Sequence, residues 1–190
     1  GSLNAHPSLL PDNRGPDPLF WTFHTGASET GVTIHLMDAG LDSGPILTQE
    51  RAALADGETE EALETRLSTL AGDLMTKALA GLASGALRST PQDAARASRH
   101  GWPSADDYAI DVARWSARRA WVFARGVGGR GQSIILTARD GARFHLLEAL
   151  GYAERGGGDD KLPWTLAGET LSVACAPGVL RCRVEPLAAE

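Results

Sequence analysis

The most informative stretch of this chain is Leu3-Asn4-Ala5-His6-Pro7-Ser8-Leu9-Leu10-Pro11. Residues 3–6 are typical of a strand, and Pro7 ends it because proline cannot donate a backbone hydrogen bond to a sheet. Side chains along a strand point alternately to its two faces, so Asn4 and His6 are expected on the same face. The sequence therefore predicts an amide and an imidazole side by side at the end of a strand.

The rest of residues 1–87 follows an α/β pattern. Asp17 is suited to cap a short helix that has a proline in its first turn. Alternating apolar and polar residues predict a strand over 32–37, and a further short strand is predicted over 45–50. Leucines recur at helical spacing between 58 and 85 and predict an amphipathic helix. These elements place the first part of the chain in the α/β class.

The second part of the chain is predicted to be a separate small module. Residues 88–106 lack apolar periodicity and are rich in Ser, Pro, Ala and Arg, which predicts a linker. Residues 107–190 follow, with a leading helix over 111–125. Glycine-rich turns then separate short apolar runs, a pattern that favours a small antiparallel β-barrel of the OB-like type. The predicted strands cover 133–137, 143–150, 171–175 and 180–184, and a flexible glycine-rich loop is predicted over 156–160.

Composition limits the class of protein. The chain has 190 residues and 43% hydrophobic content, which is enough to bury a core. It has no run of about 18 apolar residues, and its start lacks the pattern of a secretion signal, so a cytoplasmic protein without membrane contact is expected. Cys175 and Cys182 lack the further partners that a zinc site needs, and they are expected to be buried, reduced thiols.

Three polar residues have the chemistry of acyl or formyl transfer. His6 titrates near neutrality and can take a proton from an attacking amine, which contributes about 10²- to 10⁴-fold in rate. The carboxylate of Asp42, in the loop 38–44, can stabilise the charged imidazole or relay protons through water. Asn4 can donate its amide N–H to a developing oxyanion, an interaction worth about 2.7–4 kcal/mol.

Each of these residues has an ordinary structural explanation when it is taken alone. Asn4 is suited to bond the backbone at a strand end, His6 to be a hydrogen-bonded core histidine, and Asp42 to stabilise a turn. The loop that starts at Asp38 is also similar to part of a calcium loop. Its spacing differs, however, and its twelfth residue is Gln49 rather than the required glutamate. No metal is therefore expected.

Four ordered blocks carry a family resemblance. They are Leu3 to Pro11, Arg14-Gly15, Glu29 to His35, and Met37-Asp38-x-Gly40-x-Asp42-Ser43-Gly44-Pro45-Ile46. Together they resemble the signature of the formyltetrahydrofolate-dependent formyltransferases, which include methionyl-tRNA, glycinamide ribonucleotide and amino-sugar N-formyltransferases. The order of catalytic portion, linker and small barrel is most similar to the methionyl-tRNA formyltransferases.

The resemblance implies roles for individual residues. The family's catalytic asparagine, histidine and aspartate match Asn4, His6 and Asp42. The implied reaction belongs to one-carbon metabolism: an acceptor amine attacks the formyl carbon of 10-formyltetrahydrofolate directly and releases tetrahydrofolate, without a metal or a covalent enzyme intermediate. The implied folate-binding residues are Asp38, Ala39, Gly40, Leu41, Ser8, Leu9 and Leu10, and the implied acceptor-binding residues are Arg14, Gly15 and Pro16.

The resemblance also implies a missing part. Family members have a Rossmann-like half ahead of the Asn-x-His strand, which supplies further sheet strands and part of the pterin pocket. This sequence does not include that half, so residues 1–87 are expected to be the C-terminal half of a formyltransferase sheet-and-helix domain. A missing N-terminal half is therefore an expected partner, and activity is expected to depend on it.

The sequence leaves three alternatives for the acceptor and the role. Initiator tRNA leads, and Arg114, Arg118 and Arg125 share one face of the predicted helix, where they suit either phosphates or a solvated surface. Against tRNA, residues 101–190 carry 11 basic and 11 acidic side chains, and Asp17 adds negative charge beside the acceptor segment. A small amine, such as an amino sugar or a modified amino acid, is the second alternative. A non-catalytic folate-binding or partner module is the third.

Overall fold

The computed structural model describes residues 1–154 and 163–187. The chain folds into two compact units. The first unit contains Gly1–Thr22, Ala27–Ala55 and Glu60–Trp102, and the second contains Phe23–Gly26, Asp56–Thr59 and Pro103–Glu190. Two short segments from the first third of the sequence thus belong to the second unit. The predicted glycine-rich loop over 156–160 lies outside the described residues.

The first unit is built on a three-stranded antiparallel sheet in the order β1-β2-β3. The strands are β1 (Leu3–His6), β2 (Glu29–Leu36) and β3 (Ile46–Ala53). The central strand β2 is buried from Thr30 to His35, so its polar residues Thr30, Thr33 and His35 are buried together with its apolar ones. In the pairing of β1 with β2, Asn4 lies opposite His35 and His6 lies opposite Thr33. This register decides which polar side chains meet at the site.

Helix α2 (Glu60–Ala83) packs on the sheet through one apolar stripe. Its buried residues lie four, seven and four positions apart, as helical periodicity requires, and they are Leu63, Leu67, Leu74 and Ala78. Glu60 and Glu61 lie in its first turn, where the helix dipole favours negative charge. The predicted helix over 58–85 is therefore confirmed within two residues at each end. Helix α1 (Pro18–Thr25) is the short helix predicted after Asp17.

Residues 84–102 have little regular structure but many contacts with the first unit. They include a short 3₁₀ helix over Ala94–Arg96. Thr90 exchanges two backbone hydrogen bonds with Ile46, both of 2.8 Å, and Arg14 forms an isolated parallel bridge with Arg99. The sequence-based division at 87 and 106 remains a proposal about domains, while residues up to Trp102 belong to the first unit.

The second unit is a six-stranded sheet with one long helix. Helix α3 (Ala117–Val127) packs chiefly on β6. The strand order is β4-β5-β6-β9-β8-β7, with β4 parallel to β5 and all other pairs antiparallel. The strands are β4 (Ala109–Asp111), β5 (Ile134–Thr137), β6 (Arg143–Ala153), β7 (Trp164–Ala167), β8 (Thr170–Ala174) and β9 (Val179–Pro186).

The second unit departs from the prediction in three places. Within the described residues no pairing joins the edge strands β4 and β7, so the closed OB-like barrel is not confirmed. The helix predicted over 111–125 begins only at Ala117, because Ser116 caps it by accepting the backbone N–H of Arg119 at 3.1 Å. The strands β4 and β7 were not predicted, since runs of three and four residues carry little periodic signal.

The core of the second unit forms where α3 meets the sheet. Phe123 is fully buried, and the ring of Phe23 packs so closely on Gly126 that a Cβ there would overlap it. Cys175 and Cys182 are buried free thiols, and burial raises their pKa values to about 11 and about 12. None of the described helices is both long and apolar enough to cross a membrane.

Candidate active site

Asn4 and His6 lie on the same face of β1 and both reach one polar cluster. The amide Nδ2 of Asn4 lies 3.2 Å from Nε2 of His35, on the neighbouring strand β2. His6 is 4% exposed, and its Nδ1 lies 3.8 Å from Oδ1 of Asp42. The same Asp42 oxygen lies 3.9 Å from Nε2 of His35. The structure therefore brings the three predicted residues together and adds a fourth, His35.

The hydrogen bonds of His6 define which of its nitrogens is basic. Its Nε2 lies 2.9 Å from the backbone carbonyl of Asn13, and a carbonyl can only accept. Nε2 therefore carries a hydrogen and donates it to this carbonyl. In the neutral ring, Nδ1 is then the unprotonated nitrogen, and it faces the Asp42 carboxylate. His6 is oriented so that the proton it gains lies toward a negative charge.

His35 is fixed in the matching way. Its Nδ1 lies 3.0 Å from the carbonyl of Leu36, so Nδ1 carries the hydrogen and Nε2 accepts one from the Asn4 amide. The amide nitrogen of Asn4 is thereby oriented, and among the described residues its second N–H meets no further acceptor. No role is predicted for His35 from the sequence, yet the pairing of β1 with β2 places it opposite Asn4.

The carboxylate of Asp42 is held by the backbone of the predicted acceptor segment. Its Oδ2 accepts the backbone N–H of Gly15 at 2.9 Å, while Oδ1 is shared between the two histidines. Asp42 has a φ of 52°, in the left-handed region that non-glycine residues rarely adopt. The distances from Oδ1 of Asp42 to the two imidazoles exceed hydrogen-bond length. Protonation of His6 can therefore draw its ring and the carboxylate closer together.

Burial has the largest effect on the basicity of His6. Burial lowers the pKa of His6 below its ordinary value of 6.5, because desolvation disfavours the charged ring. The Asn13 carbonyl and the Asp42 carboxylate oppose this lowering, and His35 adds to it. His6 is therefore a neutral base at physiological pH.

The predicted folate loop has an internal brace and an exposed surface. Oδ1 of Asp38 accepts the backbone N–H of Gly40 at 3.0 Å and the hydroxyl of Ser43 at 2.9 Å. Ala39 and Gly40 are exposed, and Leu41 is 47% exposed, a high value for a leucine. Among the described residues, no group of three or more His, Cys, Asp and Glu side chains is arranged to hold a metal ion.

The predicted segment Ser8 to Leu10 is more deeply integrated into the fold. The Ser8 hydroxyl donates to the carbonyl of Asp12 at 2.6 Å, and the Ser8 carbonyl accepts from the hydroxyl of Thr33 at 2.7 Å. The backbone of Leu10 donates to Thr33 at 3.1 Å and accepts from Gln49 at 2.9 Å. Ser8 and Leu10 are both buried. Folate binding by Ser8, Leu9 and Leu10 remains a prediction.

The predicted acceptor segment is tied to a residue that the sequence analysis missed. The guanidinium of Arg14 donates to Oε1 of Gln92 through Nε at 3.1 Å and Nη2 at 2.7 Å. Gly15 is buried, and Pro16 is exposed. Gln92 lies in the stretch predicted to be a linker, where no periodic pattern distinguishes it. No sequence signal could have identified it.

The arginines predicted to share one helix face, suited either to phosphates or to a solvated surface, are differently engaged. Arg114 precedes α3 and pairs with Asp111 at 3.4 Å. Arg118 donates to the carbonyl of Gly26 and to Asp56, both at 3.1 Å. Two of the three side chains therefore serve contacts within the second unit, and the start of α3 at Ala117 removes Arg114 from the helix face.

The residues of this site lie in a stretch of the chain that matches a known family. Residues 1–79 match the family described as Formyl transferase. A methionyl-tRNA formyltransferase from Anaeromyxobacter sp. (strain K) is 35% identical over 186 residues, which cover 94% of this chain and 57% of that protein. The chain thus spans a little over half the length of the curated relatives that it matches over most of its own length.

Solved structures of formyltransferases share the fold. WlaRD, a sugar 3N-formyltransferase crystallised in the presence of dTDP and 5-N-formyl-THF, gives a TM-score of 0.73 at 14% identity, covering 99% of this chain and 66% of that one. Methionyl-tRNA formyltransferase from Clostridium thermocellum gives 0.57 at 16% identity, covering 98% and 69%. At these identities the likeness shows the fold alone. The sequence match shows that residues 1–79 belong to the formyltransferase family, and the 35% identity shows that most of the chain is similar to a curated methionyl-tRNA formyltransferase.

Proposed function

We propose that this chain provides the catalytic residues for transfer of a formyl group from 10-formyltetrahydrofolate to an acceptor amine. The observation that carries the proposal is the orientation of His6, whose basic Nδ1 faces the Asp42 carboxylate while Nε2 is held by a carbonyl. Beside it, Asn4 presents an oriented amide. A base, an anion that stabilises its charged form and a hydrogen-bond donor are the groups that formyl transfer requires.

The proposed steps use these three side chains in turn. The acceptor nitrogen bonds to the formyl carbon, and the carbonyl electron pair moves to the formyl oxygen, to which Asn4 donates an N–H. His6 takes the proton that the amine loses, and Asp42 stabilises the resulting imidazolium. The bond from the formyl carbon to the folate nitrogen then breaks, and that nitrogen takes the proton from His6. The products are a formamide and tetrahydrofolate.

The described residues fit a folate co-substrate. The loop from Asp38 to Leu41 offers exposed backbone together with the exposed side chain of Leu41, so it combines polar groups with an apolar surface for a flat ring. The N–H donor of Asn4 and the basic nitrogen of His6 suit the transfer of a formyl group. When bound, the folate supplies the activated formyl carbon. The cytoplasmic location expected from the sequence remains a prediction.

Initiator methionyl-tRNA is the acceptor that we propose. The support is the 35% identity, over most of this chain, to a protein named methionyl-tRNA formyltransferase. The negative charge of Asp17 is an argument against tRNA in the sequence. In the structure its Oδ1 accepts the backbone N–H of Phe20 at 3.2 Å. That contact makes Asp17 a cap of α1. A small amine and a non-catalytic role are the alternatives that the experiment must separate.

The test is release of tetrahydrofolate by the purified chain. 10-Formyltetrahydrofolate is supplied alone, with initiator methionyl-tRNA, or with a panel of amino sugars and modified amino acids. Release that needs tRNA, disappears in His6→Ala and persists in His145→Ala supports the proposal. His145 is the matched control because it is a half-buried histidine on β6 of the second unit.

The remaining outcomes contradict the proposal in different ways. Release driven by a small amine replaces the acceptor but keeps the chemistry. Folate binding without release under any condition favours a non-catalytic module. Restoration of release by adding the N-terminal part of a full-length relative would instead show that the chain is catalytic and that this part is a required partner.

A further inference from the structure

Gln92 connects two loops of the candidate site through a fully used side-chain amide. Its Nε2 donates to the backbone carbonyls of Asp42 at 2.8 Å and Gly44 at 2.7 Å. Its Oε1 accepts both hydrogen bonds from the Arg14 guanidinium, at 3.1 and 2.7 Å. A primary amide has two donor hydrogens and one oxygen with two lone pairs, so every position is occupied. Such complete use of one side chain fixes the two loops relative to each other.

The segment that carries Gln92 is itself anchored on both sides. Before Gln92, Thr90 exchanges two backbone hydrogen bonds with Ile46 at the start of β3. After it, the Ser98 hydroxyl accepts the backbone N–H of Asn13 at 2.8 Å, and the Ser98 carbonyl accepts that of Arg14 at 3.0 Å. The segment around Gln92 is therefore held by hydrogen bonds that do not involve the Gln92 side chain.

Asp42 needs such support because of its backbone conformation. A non-glycine residue at a φ of 52° is disfavoured and keeps that conformation only where contacts impose it. Gln92 holds the backbone carbonyl of Asp42, and Gly15 holds its carboxylate. Both contacts lead back to the Arg14-Gly15 segment, since Gln92 also binds Arg14.

We propose that Gln92 is a positioning residue of the candidate site, which fixes the Asp42 carboxylate at its place beside His6. The role in catalysis rests on the proposed function, but the positioning itself is a property of the unliganded chain. The groups facing His6 are the Asp42 carboxylate, the His35 ring and the carbonyl of Asn13. Of these three groups, Gln92 contacts Asp42. A displacement of the Asp42 carboxylate is therefore detected as a change in the titration midpoint of His6.

The experiment is an NMR titration of the His6 ring in the 190-residue chain, which requires no folate or acceptor. The variant Gln92→Met keeps the length of the side chain and removes all four hydrogen bonds. Asp42 raises the pKa of His6, so loss of its fixed position is expected to move the His6 midpoint to lower pH. The matched control is Gln49→Met, which removes bonds to Leu10 and Thr33 in the same unit without touching the Asp42 loop.

A second variant guards against misfolding. Gln92→Asn keeps the amide but shortens its reach by one methylene, and it is expected to shift His6 in the same direction by a smaller amount. An unchanged His6 midpoint in a folded Gln92 variant, or an equal shift in Gln49→Met, overturns the proposal. In turnover assays, the acid limb of kcat/KM should move with the NMR midpoint. A shifted midpoint in a chain without turnover leaves the positioning role intact and counts only against the proposed reaction.

Discussion

Substitution of Gly15 by alanine should be among the most damaging single-methyl changes in the first unit. Gly15 has a φ of 132°, where a residue with a side chain is strained. A Cβ at this position would come within 3.0 Å of the carbonyl oxygen of His100, which is backbone and cannot rotate away. The protein must therefore move either the backbone of residue 15 or the segment around His100.

The expected cost follows from these two effects. Backbone strain at one residue contributes about 1–3 kcal/mol. Movement of either segment also breaks the bond from the His100 N–H to the Arg14 carbonyl, or the bond from the Gly15 N–H to Asp42, at about 1–3 kcal/mol for a buried or charged partner. We therefore expect Gly15→Ala to lower the free energy of unfolding by about 2–6 kcal/mol.

Urea denaturation of three variants separates strain from overlap. Gly101→Ala has open space and an ordinary φ, so its effect should lie within about 0.5 kcal/mol of zero. Gly85→Ala has a φ of 71° and open space, so it should cost about 1–2 kcal/mol from strain alone. If Gly15→Ala is no more destabilising than Gly85→Ala, the reasoning about overlap and lost hydrogen bonds is refuted.

Three further predictions concern the site and the core. Asn4→Ala should reduce kcat for formyl transfer by about 10²- to 10³-fold with little change in folate affinity, because only the developing oxyanion loses a donor; comparable losses in both quantities contradict that role. Because the pKa of His6 is lowered, below about pH 6.5 this histidine is protonated in the unfolded chain but still neutral in the folded one. The free energy of unfolding should therefore fall as the pH drops from 6.5. Urea titrations at several pH values should show that His6→Gln removes this pH-dependent component. Leu63→Ala should lower the free energy of unfolding by about 2–5 kcal/mol, because it leaves a buried cavity. Leu79→Ala, on the exposed face of the same helix, should lower it far less in the same assay.

The sequence predicts the first unit well because its elements carry strong periodic signals. Alternation identifies β2, and the leucine spacing identifies α2. The pair Asn4 and His6 follows from strand geometry alone, and the structure brings Asp42 to them across a loop. What alternation cannot supply is the register between strands, and it is this register that places His35 against Asn4.

The second unit and Gln92 show where sequence reasoning ends. The six-stranded sheet includes a parallel pair and two short edge strands, whose order depends on contacts far apart in the chain. Gln92 lies in a segment without apolar periodicity, and its importance comes entirely from the carbonyls and the guanidinium that it reaches. A polar bridge of this kind leaves no repeating pattern, because its partners lie 50 and 78 positions away.

The second unit is assembled from three separate segments of the chain, which affects both its synthesis and its isolation as a fragment. Phe23–Gly26 and Asp56–Thr59 leave the ribosome long before Pro103–Glu190, and they stay without their final neighbours until that part follows. A gene fragment that begins at Pro103 lacks the ring that covers Gly126 and the carboxylate that pairs with Arg118. No single cut in the chain can therefore yield both units whole.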